Sequence, residues 1–138
     1  LDNHGNVIGV IPEFLKLKEV VHLGLTELIT TNNMHERKLK MHELSDGFIT
    51  LPGGFGTMDE LFEALTLIQT GKIARFPIVL LGKDYWSGLI DWIKGTMLQK
   101  EHNIHEEDLN LFRLVDTAEE AAEHIFRFYD KYVLKPNF

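Results

Sequence analysis

The sequence predicts a doubly wound α/β fold, a parallel sheet with helices on its faces. Three observations carry that expectation. Short apolar runs recur along the chain, among them NVIGVI at residues 6–11, GFITL at 47–51 and PIVLL at 77–81. Nearly continuous runs of this kind suit strands buried on both faces of a parallel sheet. Between them lie stretches whose apolar residues repeat at helical spacing, so strand and helix alternate. The third observation is the turn Pro52-Gly53-Gly54-Phe55-Gly56-Thr57-Met58-Asp59-Glu60, which joins a strand to a helix through three glycines in four positions.

In chain order, residues 1–5 (LDNHG) look like the end of a helix capped by Gly5 in the left-handed conformation, as though the chain starts inside an element. Residues 6–11 read as a buried strand that stops at Pro12, which cannot donate to a central ladder. Residues 12–24 mix Phe14, Leu15 and Leu17 with Lys16, Lys18 and Glu19, the pattern of a loop or one short helical piece over the sheet. The β-branched stretch at 25–31 (LTELITT) is a second strand. Asn33 is a good N-cap, and Glu36 three residues on completes a capping-box pattern for a helix from Met34 to about Leu44.

The strand at 47–51 delivers the chain into the glycine turn. A helix from Thr57 to about Thr70 then carries Leu61, Ala64, Leu65 and Ile68 on one stripe and stops at Gly71. The strand at 77–81 ends at Gly82, and Trp86, Leu89, Ile90, Ile93 and Met97 mark a helix over 86–100. Residues 111–115 (LFRLV) make a last strand, placed at an edge by Arg113. Thr117 with Glu120 repeats the capping box, and Ala121, Ala122, Ile125, Phe128, Tyr129 and Tyr132 form the stripe of a final helix.

The 138 residues match one ordinary domain, with no repeats, low-complexity segments or internal linkers. Hydrophobic residues at 44% and charged residues at 25% give the balance of a soluble globular chain. The net charge of −7 argues against a surface that holds nucleic acid through many phosphates, so any phosphate must be held locally. Without cysteine there is no disulfide framework, thiolate nucleophile or Cys-ligated zinc. No apolar run approaches the ~20 residues of a membrane span, and the N-terminus lacks the basic and apolar segments of a signal peptide. The expected setting is cytoplasmic, with neither nucleic acid nor membrane as partner.

The glycine turn suits a phosphate. Glycine lets a backbone approach a ligand closely, and the start of a helix presents free N–H groups at the positive end of its dipole. A Walker A loop is excluded because no lysine follows Gly56, and the dinucleotide fingerprint would need glycine where Asp59 stands. A mononucleotide or sugar phosphate therefore fits better than ATP hydrolysis or a dinucleotide. The plainer alternative is a tight turn whose glycines serve packing alone. Arg37 and Lys38 fall in the first turn of their helix, where the dipole disfavours cations, which invites a nearby anion; otherwise both are simply solvated.

Glu60 admits two readings. It is an acid beside the phosphate turn, able to bind a ribose hydroxyl, activate water or stabilise a sugar cation. Alternatively, Thr57-Met58-Asp59-Glu60 is itself a capping box that folds Glu60 back onto the Thr57 N–H. Asp59 reads as a solvated first-turn acid. The histidines offer no metal site: His35-Glu36 begins like H-E-x-x-H but position 39 is leucine, and His102 and His105 lack a third ligand. No G-x-S-x-G elbow is present. Trp86 and Trp92 sit at helical spacing, as core or contact residues do.

Two motifs combine. Met34-His35-Glu36-Arg37-Lys38, followed after one helix and strand by Pro52-Gly53-Gly54-Phe55-Gly56-Thr57-Met58-Asp59-Glu60, resembles the paired MHxRK and PGGxGTxxE motifs of the LONELY GUY family. The stretches GVIPEFL…HLGLTELI and FPIVLLGKDYWSGLIDWI extend the likeness over nearly the whole chain. Members of that family are cytokinin riboside 5′-monophosphate phosphoribohydrolases, and many bacterial relatives carry an inherited lysine decarboxylase label. No lysine here has a recognisable pyridoxal phosphate setting.

The resemblance implies a Rossmann-like fold, usually dimeric, that hydrolyses a nucleoside 5′-monophosphate to free base and ribose 5-phosphate without a cofactor. Carried over by position, Arg37 and Glu60 match the catalytic pair. Gly53, Gly54, Gly56 and Thr57 would hold the phosphate, with Phe55 and Asp59 in the same substrate-binding turn. Lys38 matches a substrate-binding position, and Glu19 aligns more loosely with an acid near the nucleotide. The resemblance also implies a preceding strand and Gly-rich turn before Leu1, so these residues would be the later part of a longer domain. A non-catalytic carrier of a nucleotide or molybdenum cofactor on the same fold is the alternative.

Overall fold

Every strand pairing among the described residues is parallel. The computed structural model describes residues 2–17 and 21–133, and the side chains of residues 132 and 133 lie outside the described set. The chain forms a mixed α/β structure in two compact units, Leu1–Ser45 and Asp46–Phe138.

The first unit contains β1 (Ile8–Pro12), α1 (Glu13–Lys16), β2 (Glu27–Thr31) and α2 (Met34–Leu44). β1 and β2 run in register from Ile8 opposite Glu27 to Pro12 opposite Thr31. Pro12 is thus the last strand residue rather than the first beyond it, a place where its missing N–H costs little. Burial along β1 is confined to its end, with Ile11 and Pro12 inside and Ile8 45% exposed, so the strand is less covered than its apolar run suggests. The left-handed residue near the start is His4, with φ 59°, and Gly5 is not in that conformation.

The second unit contains β3 (Phe48–Thr50), α3 (Phe55–Gln69), β4 (Ile78–Leu81), α4 (Lys83–Trp92), β5 (Phe112–Val115) and α5 (Ala118–Val133). Its sheet has the order β3-β4-β5. The central strand β4 divides its side chains between two faces, as the period of two requires. Ile78 and Leu80 join Leu61, Ala64 and Ile68 of α3 and Trp86 and Ile90 of α4 in one core. Val79 faces the other way, to Val115 and Ala121 of α5. Helices therefore cover both faces of this parallel sheet.

Three expectations need correction here. Ile49 of β3 and Leu51 just beyond it are 47% and 58% exposed, so this apolar run is not buried on both faces. The helix expected over 86–100 starts earlier, at Lys83, and changes at Ile93 to a π-helical segment, Ile93–Lys100, whose wider turn shows in the five-residue bond from Glu101 N–H to Thr96 O at 2.9 Å. A short 3-10 turn, Glu106–Leu111, then precedes β5. The third correction, the start of α3, bears on the site. β5 does lie at the sheet edge, with Arg113 exposed.

Candidate active site

The glycine turn occupies the carboxyl end of β3, where open α/β sheets place their ligands. α3 begins two residues before the expected start. Its N-cap is Gly54, in extended conformation, and no side chain caps it. The capping box over Thr57-Met58-Asp59-Glu60 is therefore absent. A helix that begins at Phe55 puts Thr57 in its first turn and Asp59 and Glu60 in the second, too far along for Glu60 to serve as the N3 partner. Glu60 is half-buried and Asp59 exposed.

The glycines divide by what surrounds them. The side chain of Thr57 lies over Gly53, so a Cβ on Gly53 would stand 2.9 Å from Thr57 Cβ and closer still to Oγ1. Gly53 is demanded by packing. Gly54 and Gly56 have nothing within 4 Å of where a Cβ would be, so their lack of a side chain leaves open space at the head of α3. Phe55, between them, is 97% exposed. With the first N–H groups of α3 uncapped by side chains, the turn has room, donors and the favourable end of a dipole for an anion.

The turn is braced from α4. The Tyr85 hydroxyl donates to Gly53 O, and the Tyr85 ring meets Trp86 edge-on at 4.8 Å. Gly82, the N-cap of α4 at φ 113°, would bring a Cβ within 3.4 Å of Pro52. Nothing in the sequence pointed to Tyr85, because the bond joins residues 32 apart and no periodicity reports it.

In the first unit, α2 runs over the expected residues. Asn33 Oδ1 accepts from Glu36 N–H at 2.9 Å, as a cap should. The return half of the box shifts by one: Glu36 Oε2 accepts from Asn32 N–H at 2.8 Å and Oε1 from Asn32 Nδ2 at 3.2 Å. Those bonds, the backbone one foremost, lower the Glu36 pKa. Arg37, half-buried, donates from Nε to Val10 O at 3.1 Å, so its guanidinium is anchored to β1 rather than simply solvated. Lys38 follows it, also half-buried.

Of the expected site residues, the structure gathers Gly53, Gly54, Phe55, Gly56, Thr57, Asp59 and Glu60 at the β3–α3 junction, and sets Arg37 and Lys38 side by side on α2. Glu19 lies outside the described residues. His105 caps the 3-10 turn, its N–H donating to Asp108 Oδ2 at 2.9 Å. No cluster of three metal-ligating side chains occurs among the described residues, and no described helix is long and apolar enough to cross a membrane.

Known proteins share this arrangement of sequence. A cytokinin riboside 5′-monophosphate phosphoribohydrolase of Rhodococcoides fascians is 45% identical over 100 residues, 72% of this chain and 50% of that protein. The rice (Oryza sativa subsp. japonica) cytokinin riboside 5′-monophosphate phosphoribohydrolase LOG is 35% identical over 132 residues, 95% of this chain and 53% of its own length. The Mycobacterium tuberculosis enzyme of the same name is 43% identical over 94 residues, 67% and 50%. The chain spans about half the length of the curated relatives it matches. The family model described as "Possible lysine decarboxylase" matches residues 1–125. With both motifs inside that match, this chain belongs to the LONELY GUY family of that model.

Proposed function

We propose that the protein hydrolyses the N-glycosidic bond of a nucleoside 5′-monophosphate, AMP or a cytokinin riboside monophosphate, to free base and ribose 5-phosphate. The carrying observation is the head of α3, where Gly54 caps without a side-chain bond and Gly54 and Gly56 leave open space. A phosphate seated there receives N–H donors and the helix dipole without displacing a protein cap. The names of the relatives support the same chemistry.

Cleavage of such a bond passes through an oxocarbenium-like sugar, by analogy with glycoside hydrolysis. Glu60, in the second turn of α3, stabilises that charge or positions the attacking water. Arg37 holds the phosphate or base: a guanidinium stays protonated, so it orients and polarises rather than donating a proton. Lys38 adds a second cation for the substrate, and Thr57 a hydroxyl for the phosphate.

The test is incubation of the whole protein with AMP and with isopentenyladenosine monophosphate, followed by detection of free base. Glu60→Gln should abolish release while the nucleotide still binds. A variant that turns over at the wild-type rate sinks the assignment of Glu60. Nucleotide bound by the wild type but never cleaved would favour a carrier.

A further inference from the structure

We infer that Tyr85 is a positioning residue for the phosphate turn, acting by fixing the orientation of the Gly53–Gly54 peptide. The inference rests on the phosphate reading above and deepens it. The described residues contain no cis peptide, so the carbonyl of Gly53 and the N–H of Gly54 point to opposite sides of one planar unit. Tyr85 Oη donates to that carbonyl. Holding Gly53 O toward α4 therefore aims the Gly54 N–H away from α4 and keeps a repulsive carbonyl out of the anion's place.

This peptide needs such a tie. It is flanked on both sides by glycine, the residue with the widest choice of φ and ψ, and so is the unit of the turn freest to rotate. Gly53 and Gly54 are both exposed, and no side chain caps α3. Thr57 packs over Gly53, and no described atom lies within 4 Å of where a Cβ on Gly54 would be. The tie itself is firm at its far end. Tyr85 lies in the first turn of α4, next to Trp86, which is fully buried, and that helix is locked at its start by Gly82 N–H on Val115 O at 2.8 Å and Lys83 N–H on Asp116 Oδ1 at 2.8 Å. Tyr85 thereby transmits the position of the β4–α4 junction to the phosphate donor.

The test is Tyr85→Phe in the whole protein, which keeps the ring against Trp86 and removes only the hydroxyl. The KM for AMP should rise roughly fivefold, the weight of about one hydrogen bond, with kcat within about twofold of wild type and the melting temperature little changed. Binding of AMP by calorimetry should weaken by the same factor. In the ligand-free protein the amide resonance of Gly54 should move, a readout independent of any substrate. An unmoved Gly54 amide, or an unchanged KM with a lowered melting temperature, overturns the inference and leaves Tyr85 a structural residue. If the wild type neither binds nor cleaves AMP, the nucleotide reading fails and the positioning role fails with it, whereas a silent Tyr85→Phe in an active enzyme overturns the positioning role alone.

Discussion

The three glycines of the turn should separate into two kinds on substitution by alanine. At Gly53 an added Cβ would sit 2.9 Å from Thr57 Cβ, about an ångström inside the optimal separation of two carbons. Rotating Thr57 could move its Oγ1 aside, but its Cβ is fixed to the first turn of α3, so the helix or the turn must shift. Overpacking of this sort costs about 1–3 kcal/mol. Gly54 and Gly56 offer open space. Gly56 lies inside the first turn of α3, where alanine gains about 0.5–1 kcal/mol over glycine. Urea denaturation of the three variants should therefore show Gly53→Ala destabilised most, Gly54→Ala mildly destabilised because alanine is a poorer N-cap than glycine, and Gly56→Ala equal or better. Phosphate affinity should reverse the order of blame, because methyl groups at Gly54 and Gly56 intrude where the anion would approach the backbone. Adding Thr57→Ala to Gly53→Ala should recover part of the loss, since the closest contact is to the hydroxyl. Gly53→Ala as stable as wild type would refute the packing argument. Unaltered affinity for AMP in both Gly54→Ala and Gly56→Ala would refute the turn as the phosphate seat.

Two further outcomes test the second unit. Leu61, 2% exposed among Ile78, Leu80 and Trp86, should cost about 2–5 kcal/mol as Leu61→Ala, read by the same denaturation. His124, on α5, has its pKa lowered first by burial and then by Arg113 on β5, in a cleft also lined by Lys83, Glu120, Glu123 and Arg127. A depressed folded-state pKa means the unfolded chain takes the proton first, so stability is retained above about pH 6.5 and declines as pH falls from there through the folded value. Titration by NMR should place His124 below an ordinary imidazole, and Arg113→Ala should raise it only part of the way, because burial is the larger cause.

The elements most legible in sequence were those whose instructions lie within four residues. Asn33 and Glu36 set the start of α2 through bonds to their own neighbourhood, and the helix runs over Met34–Leu44 as expected. Thr117 likewise accepts from Glu120 N–H at 3.1 Å at the start of α5. α3 starts earlier than its side chains indicate for the converse reason: Gly54 caps by backbone conformation alone, so the side-chain signature at Thr57 and Glu60 points two residues too late. The π segment after Ile93 was hidden because its apolar stripe fits ordinary helical spacing, and the change of pitch is a matter of backbone pairing.

What the sequence by itself determined is the parallel α/β class and the residue types of the turn, three glycines in four positions with an acid behind them, and the likeness of its two motifs pointed to the family. Such signals lie in short spacing, which the chain carries whether folded or not. Only the tertiary structure decided which glycine is demanded by Thr57, that Arg37 is anchored to Val10 O, and that Tyr85 reaches Gly53 across 32 residues. Such contacts are made between residues distant along the chain, and no local propensity records which partner will arrive. The open head of α3 belongs to both accounts, its glycines written in sequence and its uncapped N–H groups visible only once the helix has chosen where to begin.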